Sequence, residues 1–353
     1  MLHAKISRLL AQQRPRMDFY SEQPPDGESD RVHRRRHRKR RFYFFRPDAQ
    51  QRRKWLLAAG MLALGGVFLF SAVSLLSYGL DYLSARQSSS ELRALYREET
   101  DVTPVPSELP SHSPAPSAAP TTAVALPSAS PKAQRLPTVA YPHNPYNIIS
   151  ASFTKLRRQN ADIIGWLTIE DLLDEPVVQR DNSYYLRRDY RGYHNTNGAI
   201  FLDENISLKT RPYTLLLYGH NMKTGAMFGR LRNYENLAYY KNAPFITFNT
   251  LYEDGRYVIF SVATVSTTYG NWRYVNFSHL ISPTISLRQK ELDTLLLLSA
   301  YTHPVPVSPE DQLLLLITCV DDDAERRYVA ARRIRDDESE EDLLKLVEKS
   351  RGK

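Results

Sequence analysis

Residues 313–334 read LLLLITCVDDDAERRYVAARRI. Two apolar runs, 313–320 and 327–334, flank a short acidic segment. Such runs, rich in β-branched and aromatic residues and broken by polar turn formers, predict two strands joined as a hairpin. The first ends at Cys319, the only cysteine of the 353-residue chain, and the second starts at Arg327. One thiol excludes an intrachain disulfide and a cysteine-rich metal site. The hairpin is expected to bring the Arg327 guanidinium beside the Cys319 sulfur. A cation there favours the thiolate and can hold a developing oxyanion. The carboxylates Asp321–Asp323 read as a solvated turn, because adjacent residues cannot all face one ion and the alternating spacing of a calcium loop is missing. No metal site and no cofactor are expected.

Outward from this hairpin, short β-rich runs recur between turn signals: EPVVQ (175–179), GAIFL (198–202), TLLLYG (214–219), FITFN (245–249) and RYVIFSVATVS (256–266). Their spacing argues for a mainly β domain, an antiparallel barrel or sandwich. The stretch NIISASFTKLRRQNADIIGWLTI (147–169) opens with helical spacing, and Ser286–Ala300 reads as a helix inserted late in the strand series. Residues 146–336 amount to one domain by size. Residues 337–353 form a charged tail with room for one short amphipathic helix.

The other end of the chain differs. Residues 1–54 carry 16 Lys/Arg against 6 Asp/Glu, so the net charge of +8 belongs to this end and the remainder is near neutral. A near-neutral body is not a basic nucleic-acid binder. Residues 55–80, WLLAAGMLALGGVFLFSAVSLLSYGL, hold no charge. At about 1.5 Å per residue they are long enough to cross the hydrocarbon core of a bilayer as one helix. The flank at 31–54 has 12 Lys/Arg and one acid, while 81–102 has 3 Arg and 5 acids. Basic flanks stay on the cytoplasmic side. This predicts a cytoplasmic tail (1–54), a single membrane helix (55–80), and everything later outside the cell. Tyr78 and Tyr82 suit the outer interface. Residues 81–145 read as an extracellular spacer rich in Pro, Ser and Ala, with nine prolines between 101 and 141.

A cysteine nucleophile needs a proton carrier. Of nine histidines, His3, His33 and His37 fall in the cytoplasmic tail, and His112 and His143 in or beside the spacer. His194, His220, His279 and His303 remain. His220 ends a strand in LLLYGHNM, after a glycine that permits close backbone approach, and strand ends next to loops collect catalytic side chains. His279 is the next candidate. An unassisted thiol at neutral pH is only a few per cent thiolate, so the pair must either shift each other's ionisation or work through a minor ion-pair population.

Together, NADIIGWLTI, EPVVQRDNSYYL, GAIFLDE, YGHNMKTGAMFGRL and ITCVDDDAERRYVAARRI resemble the class B sortases, cysteine transpeptidases of Gram-positive surfaces. The combination is specific: His in YGHNM, Cys in a TC at a strand end, and Arg-aromatic-Val eight residues later. The resemblance implies a closed sortase β-barrel with N-terminal helices and one inserted helix in a late loop. It implies His220, Cys319 and Arg327 as the catalytic triad, in the roles of acid/base, nucleophile and oxyanion or signal positioning. It also implies that Asn182, Leu186 and Tyr218 line a groove for a C-terminal sorting signal, cut after Thr. The acyl group would pass to an amine of a peptidoglycan precursor, or to a pilin lysine in a pilin-polymerising relative. The sequence departs from the common Ser-Thr-Cys at Ile317-Thr318-Cys319. The expected partners are a surface protein bearing the signal, the amine acceptor and a lipid membrane, with no nucleic acid.

Other classes fit less well. A papain-like or NlpC-type peptidase places Cys before His, whereas His220 precedes Cys319 by 99 residues. An L,D-transpeptidase would show a Ser-His-Gly-Cys type motif, which is missing. A non-catalytic surface-binding module predicts that Cys319→Ala leaves the biological role intact.

Overall fold

Strand formation follows the apolar runs. The computed structural model describes residues 48–100, 134–302, 304–320 and 322–353. By contacts the chain divides into two units, residues 1–64 and 65–353. The described part of the first is helical and belongs to α1 (Ala49–Thr100). Within α1, Gln50–Ser77 is long and apolar enough to cross a membrane, with mean hydropathy 2.2.

In the second unit, β1 (Ile163–Ile169), β2 (Leu173–Val178), β3 (Ile200–Leu202) and β4 (Thr214–Tyr218) are followed by β5 (Phe245–Thr250) and β6 (Arg256–Ser266). After the two-residue β7 (Tyr301–Thr302) come β8 (Leu313–Val320) and β9 (Asp322–Arg333). Eight of them close a barrel in the order β1-β2-β3-β4-β8-β9-β6-β5. The predicted hairpin is present: β8 and β9 pair antiparallel. The barrel is not wholly antiparallel, however. β2–β3 and β4–β8 run parallel. Parallel neighbours need a long crossover, and the segment from Tyr218 to Leu313 supplies it. β4 and β8 also lack alternation: Leu215–Leu217 and Leu313–Ile317 are buried throughout, as expected of strands covered on both faces.

Both expected helices of the domain form. α2 (Ala151–Gln159) buries Phe153 and Leu156. After the short α3 (Leu237–Asn242) and α4 (Phe277–Ile281), the predicted insertion forms α5 (Ile285–Leu298). α5 turns Arg288, Glu291, Leu292 and Leu295 inward, one stripe at helical spacing.

Three boundaries differ from expectation. The spacer does not begin at residue 81, because α1 continues to Thr100. Its last turns are held by the barrel. Leu92 and Tyr96, four apart on one face, are buried. Tyr96 stacks on Trp166 at 4.6 Å, and Arg93 and Arg97 reach Asp174 at 2.7 and 2.9 Å. Residues 134–145 also join the domain, through bridges from Arg135 to Thr284 and from Val139 to Arg211. Only 101–133 of the expected spacer, like residues 1–47 of the tail, lies outside the described residues. At the other end the charged tail is part of the domain. Its predicted helix, α6 (Glu340–Glu348), buries Leu343 and Val347, and β10 (Arg351–Gly352) pairs with β7.

Candidate active site

Parallel pairing puts the C-terminal ends of β4 and β8 at the same edge of the barrel. The register runs Leu217 to Leu316 and Tyr218 to Ile317, and the Gly219 amide donates to the Ile317 carbonyl at 3.3 Å. His220 and Cys319 each stand two positions beyond that last pair. Neighbouring strands lie about 4.8 Å apart, so the topology brings these two backbone positions together. Gly219 is required by its surroundings, since an added Cβ would meet the Phe228 ring at 2.9 Å. The side chain of Cys319 lies outside the described part of the structure, as do those of Asp322 and Asp323 and the whole of Asp321 and His303.

His220 Nε2 lies 2.6 Å from the Leu186 carbonyl oxygen. A carbonyl only accepts, so in this contact Nε2 is the donor, and in a neutral ring Nδ1 is then the acceptor. The carbonyl belongs to a 3₁₀ turn, Tyr184–Arg187, whose Leu186 side chain is exposed. Asn182 Nδ2 and the Tyr218 hydroxyl both donate to Asp203 Oδ2, at 3.3 and 3.1 Å. Of the three expected groove residues, Asn182 and Tyr218 meet at Asp203, and Leu186 meets His220 through its backbone carbonyl. Burial first, and the Asp203 carboxylate second, push the Tyr218 phenol far above its ordinary range, so it stays a protonated donor. Asp203 is buried and was not singled out by the sequence reading, although it sits in the quoted GAIFLDE.

The arginine differs from expectation. Opposite Cys319 in the ladder stands Arg326; Arg327 stands opposite Thr318. Arg327 is buried, and its Nε and Nη2 donate to Glu235 Oε1 at 3.0 and 2.5 Å. Glu235 ends a 3₁₀ helix, Gly229–Glu235, in the segment that follows His220. Spacing alone could not reveal this pair, because its members are 92 residues apart. His279 is engaged on both ring nitrogens, by Asn276 at 3.0 Å and by the buried Glu291 at 3.0 Å. It therefore reads as a structural histidine. Among the described residues no three His, Cys, Asp or Glu side chains converge as a metal site would require.

Comparison with known proteins agrees with this architecture. The sortase domain family model matches residues 167–334. Sortase B of Listeria monocytogenes is 31% identical over 181 residues, covering 51% of this chain and 70% of that protein. Sortase B of Staphylococcus aureus is 30% identical over 190 residues, covering 53% and 75%. A crystal structure of a Bacillus anthracis protein similar to sortase B superposes with a TM-score of 0.52 at 25% identity, covering 72% of this chain and 97% of that one. By its barrel, its inserted helix and these relatives, the chain belongs to the sortase family of cysteine transpeptidases, in class B.

Proposed function

We propose that this chain is a membrane-anchored sortase that cuts a C-terminal sorting signal after Thr and transfers the new acyl end to an amine of the cell wall. Gln50–Ser77 serves as the anchor. The basic flank before it keeps the N-terminus in the cytoplasm, so the barrel works outside the cell. The observation that carries the reading is the parallel β4–β8 pairing, which ends the His220 and Cys319 strands at one edge.

The Cys319 thiolate attacks the Thr carbonyl carbon, and the carbonyl oxygen takes up the electron pair. As the tetrahedral species collapses, the C–N bond breaks, and the leaving amine takes a proton from the His220 imidazolium. An acceptor amine then attacks the thioester and gives its proton to His220, now the base. The thiolate departs and a new amide is complete. Arg327, the arginine of the family motif, orients the signal and supports the oxyanion. Asn182, Leu186 and Tyr218 line the groove. Asp203, fixed between Asn182 and Tyr218, sets their orientation.

The test is full-length protein in detergent, incubated with a library of sorting peptides and one of two acceptors: a peptidoglycan-type oligopeptide amine or a pilin-type lysine peptide. Mass spectrometry should find a thioacyl adduct on Cys319 and an amide product with the first acceptor. Cys319→Ala and His220→Ala should abolish turnover, and Arg327→Ala should nearly do so. A product confined to the lysine acceptor would move the chain to pilin polymerisation. Full activity in Cys319→Ala would end the cysteine mechanism.

A further inference from the structure

His220 and His279 are held differently. Side chains bind both ring nitrogens of His279. His220 is held by one nitrogen: Nε2 donates to the Leu186 carbonyl at 2.6 Å, and Nδ1 has no partner among the described residues. The turn that carries this carbonyl is braced on several sides. The carbonyls before and after it, of Tyr185 and Arg187, accept from the amides of Ala199 and Asn195, each at 3.0 Å. Segment 195–199 thus runs against the turn and takes the two flanking oxygens, leaving that of Leu186 to His220. Asp181 Oδ1 accepts from the Ser183 and Tyr184 amides, at 3.1 and 2.9 Å. The hydroxyl of the buried Tyr185 donates to Asp162 Oδ2 at 2.8 Å and accepts from Asn160 Nδ2 at 2.8 Å. Gly198 makes the close approach of the two backbones possible. Its φ is +63°, and an added Cβ would lie 2.7 Å from the Leu186 oxygen and 2.8 Å from that of Tyr185. Any side chain at 198 must therefore push on the oxygen that holds His220.

We propose that the Leu186 backbone carbonyl is the orienting partner of His220, and that Gly198 is a positioning residue that keeps this carbonyl in place. In Ser-His-Asp enzymes a carboxylate does this work by fixing which ring nitrogen keeps its proton. Here a neutral carbonyl does it. Nε2 stays protonated throughout. Nδ1 is the nitrogen that gives a proton to the leaving amine and later takes one from the acceptor amine. The Leu186 side chain is an expected contact of the sorting signal, so the turn that meets the signal also aims the base. The proposal rests on the reading of His220 as acid and base, and the experiment keeps the two apart.

The full-length chain is isotope-labelled at its histidine ring nitrogens and studied by NMR in detergent micelles. His220→Gln identifies the His220 signals among the nine histidines. On the same proteins kcat and KM are measured for transpeptidation of a sorting peptide. The neutral ring of His220 in wild type should be a single tautomer, protonated at Nε2. Gly198→Ala should mix the two tautomers and lower kcat by about a hundredfold, with little change in KM. Leu186→Ala keeps the carbonyl, so it should keep the tautomer while raising KM. Tyr96→Ala destabilises the domain where α1 meets Trp166 and should also leave the tautomer in place. Should Gly198→Ala fail to fold, Gly198→Asn adds the same Cβ on a residue that tolerates positive φ. A wild-type ring protonated at Nδ1, or mixed, overturns the proposal. So does a Gly198 variant with an unchanged tautomer or undiminished turnover. Full turnover in His220→Ala would refute the acid and base reading as well, whereas an inactive His220→Ala beside the wrong wild-type tautomer sinks the proposal alone.

Discussion

Glu175→Gln should change how the stability of this protein depends on pH. Glu175 lies on β2 beneath the end of α1, where its Oε2 accepts a 2.6 Å hydrogen bond from Ser89 Oγ and Oε1 lies 4.0 Å from Arg93 Nη2. Desolvation dominates over these two favourable contacts, and Asp174 beside it adds repulsion, so its carboxyl is pushed up from 4.5 to about 7. Below the unfolded pKa both states hold the proton. Between 4.5 and about 7 the unfolded chain ionises while the folded one resists, so stability falls as pH rises through that window. At about 1.4 kcal/mol per pH unit the full loss would be roughly 3 kcal/mol. The side chain is still 18% exposed, on the rim of a cleft lined by Arg93, Arg97 and Arg230, and solvent screening lowers the expected loss to about 2 kcal/mol. Glutamine has the same shape, accepts from Ser89 and never ionises. In urea unfolding of residues 81–353, wild type and Glu175→Gln should agree near pH 4.5, with the variant more stable by about 2 kcal/mol at pH 8. Comparing the two proteins cancels the other titrating groups. Equal slopes for both between pH 5 and 8 would refute the reasoning.

Other substitutions test other joints. Tyr96→Ala removes the stack on Trp166 and the 2.7 Å bond from Asn249 Nδ2; it should cost about 3 kcal/mol in urea unfolding and speed hydrogen exchange of the Leu92–Arg97 amides. Arg288 is fully buried and bound to Thr214 Oγ1 and to the carbonyls of Pro309, Leu280, Tyr213 and Asp311, with burial lowering its pKa to about 10. Arg288→Lys cannot reach that set of acceptors and should destabilise by about 3 kcal/mol, read as a drop in the urea midpoint. His279→Gln should lose about 1 kcal/mol with its Glu291 bond yet keep transpeptidase turnover, which separates it from His220. Gly229→Ala would drive a Cβ into the Met222 carbonyl oxygen, so the loop after His220 must shift; kcat should fall by more than the loss of stability explains.

What was legible in the sequence depended on range. The hairpin from Leu313 to Arg333 could be read because its strands, its turn and its two chemical residues are neighbours in the chain. α5 could be read from one continuous stretch of sequence, Ser286–Ala300. The parallel pairs could not, since periodicity says that a strand exists and not which strand lies beside it. The end of α1 was hidden for the same reason. Ser89, Leu92 and Tyr96 look unremarkable among polar neighbours, and their partners Glu175, Trp166 and Asn249 come 70 to 153 residues later. Asp203 and Glu235 escaped for want of a motif: each acts through a residue far along the chain. Arg326 and Arg327 are the limiting case. A spacing of seven or eight residues cannot decide which of two adjacent arginines stands opposite position 319, because that is set by the register of the whole β8–β9 pairing from Leu313–Arg332 onward.

Parallel pairing has a further consequence for how this site tolerates change. In an antiparallel pair the C-terminal ends of the two strands lie at opposite edges, and a His after one and a Cys at the end of the other would be a strand length apart. Here both ends share an edge, and the match of Tyr218 to Ile317 sets positions 220 and 319 level. The crossover between them can therefore vary in length and content, because the alignment is held by the five ladder pairs from Thr214–Leu313 to Tyr218–Ile317 and not by the loop. A slip of one residue is opposed by burial on both strands, since Leu215–Leu217 and Leu314–Leu316 would each have to repack. The apolar run that looks like plain core thus sets how the backbone at 220 lies beside the backbone at 319. Substitutions within Leu314–Leu316 should accordingly lower turnover before they unfold the barrel.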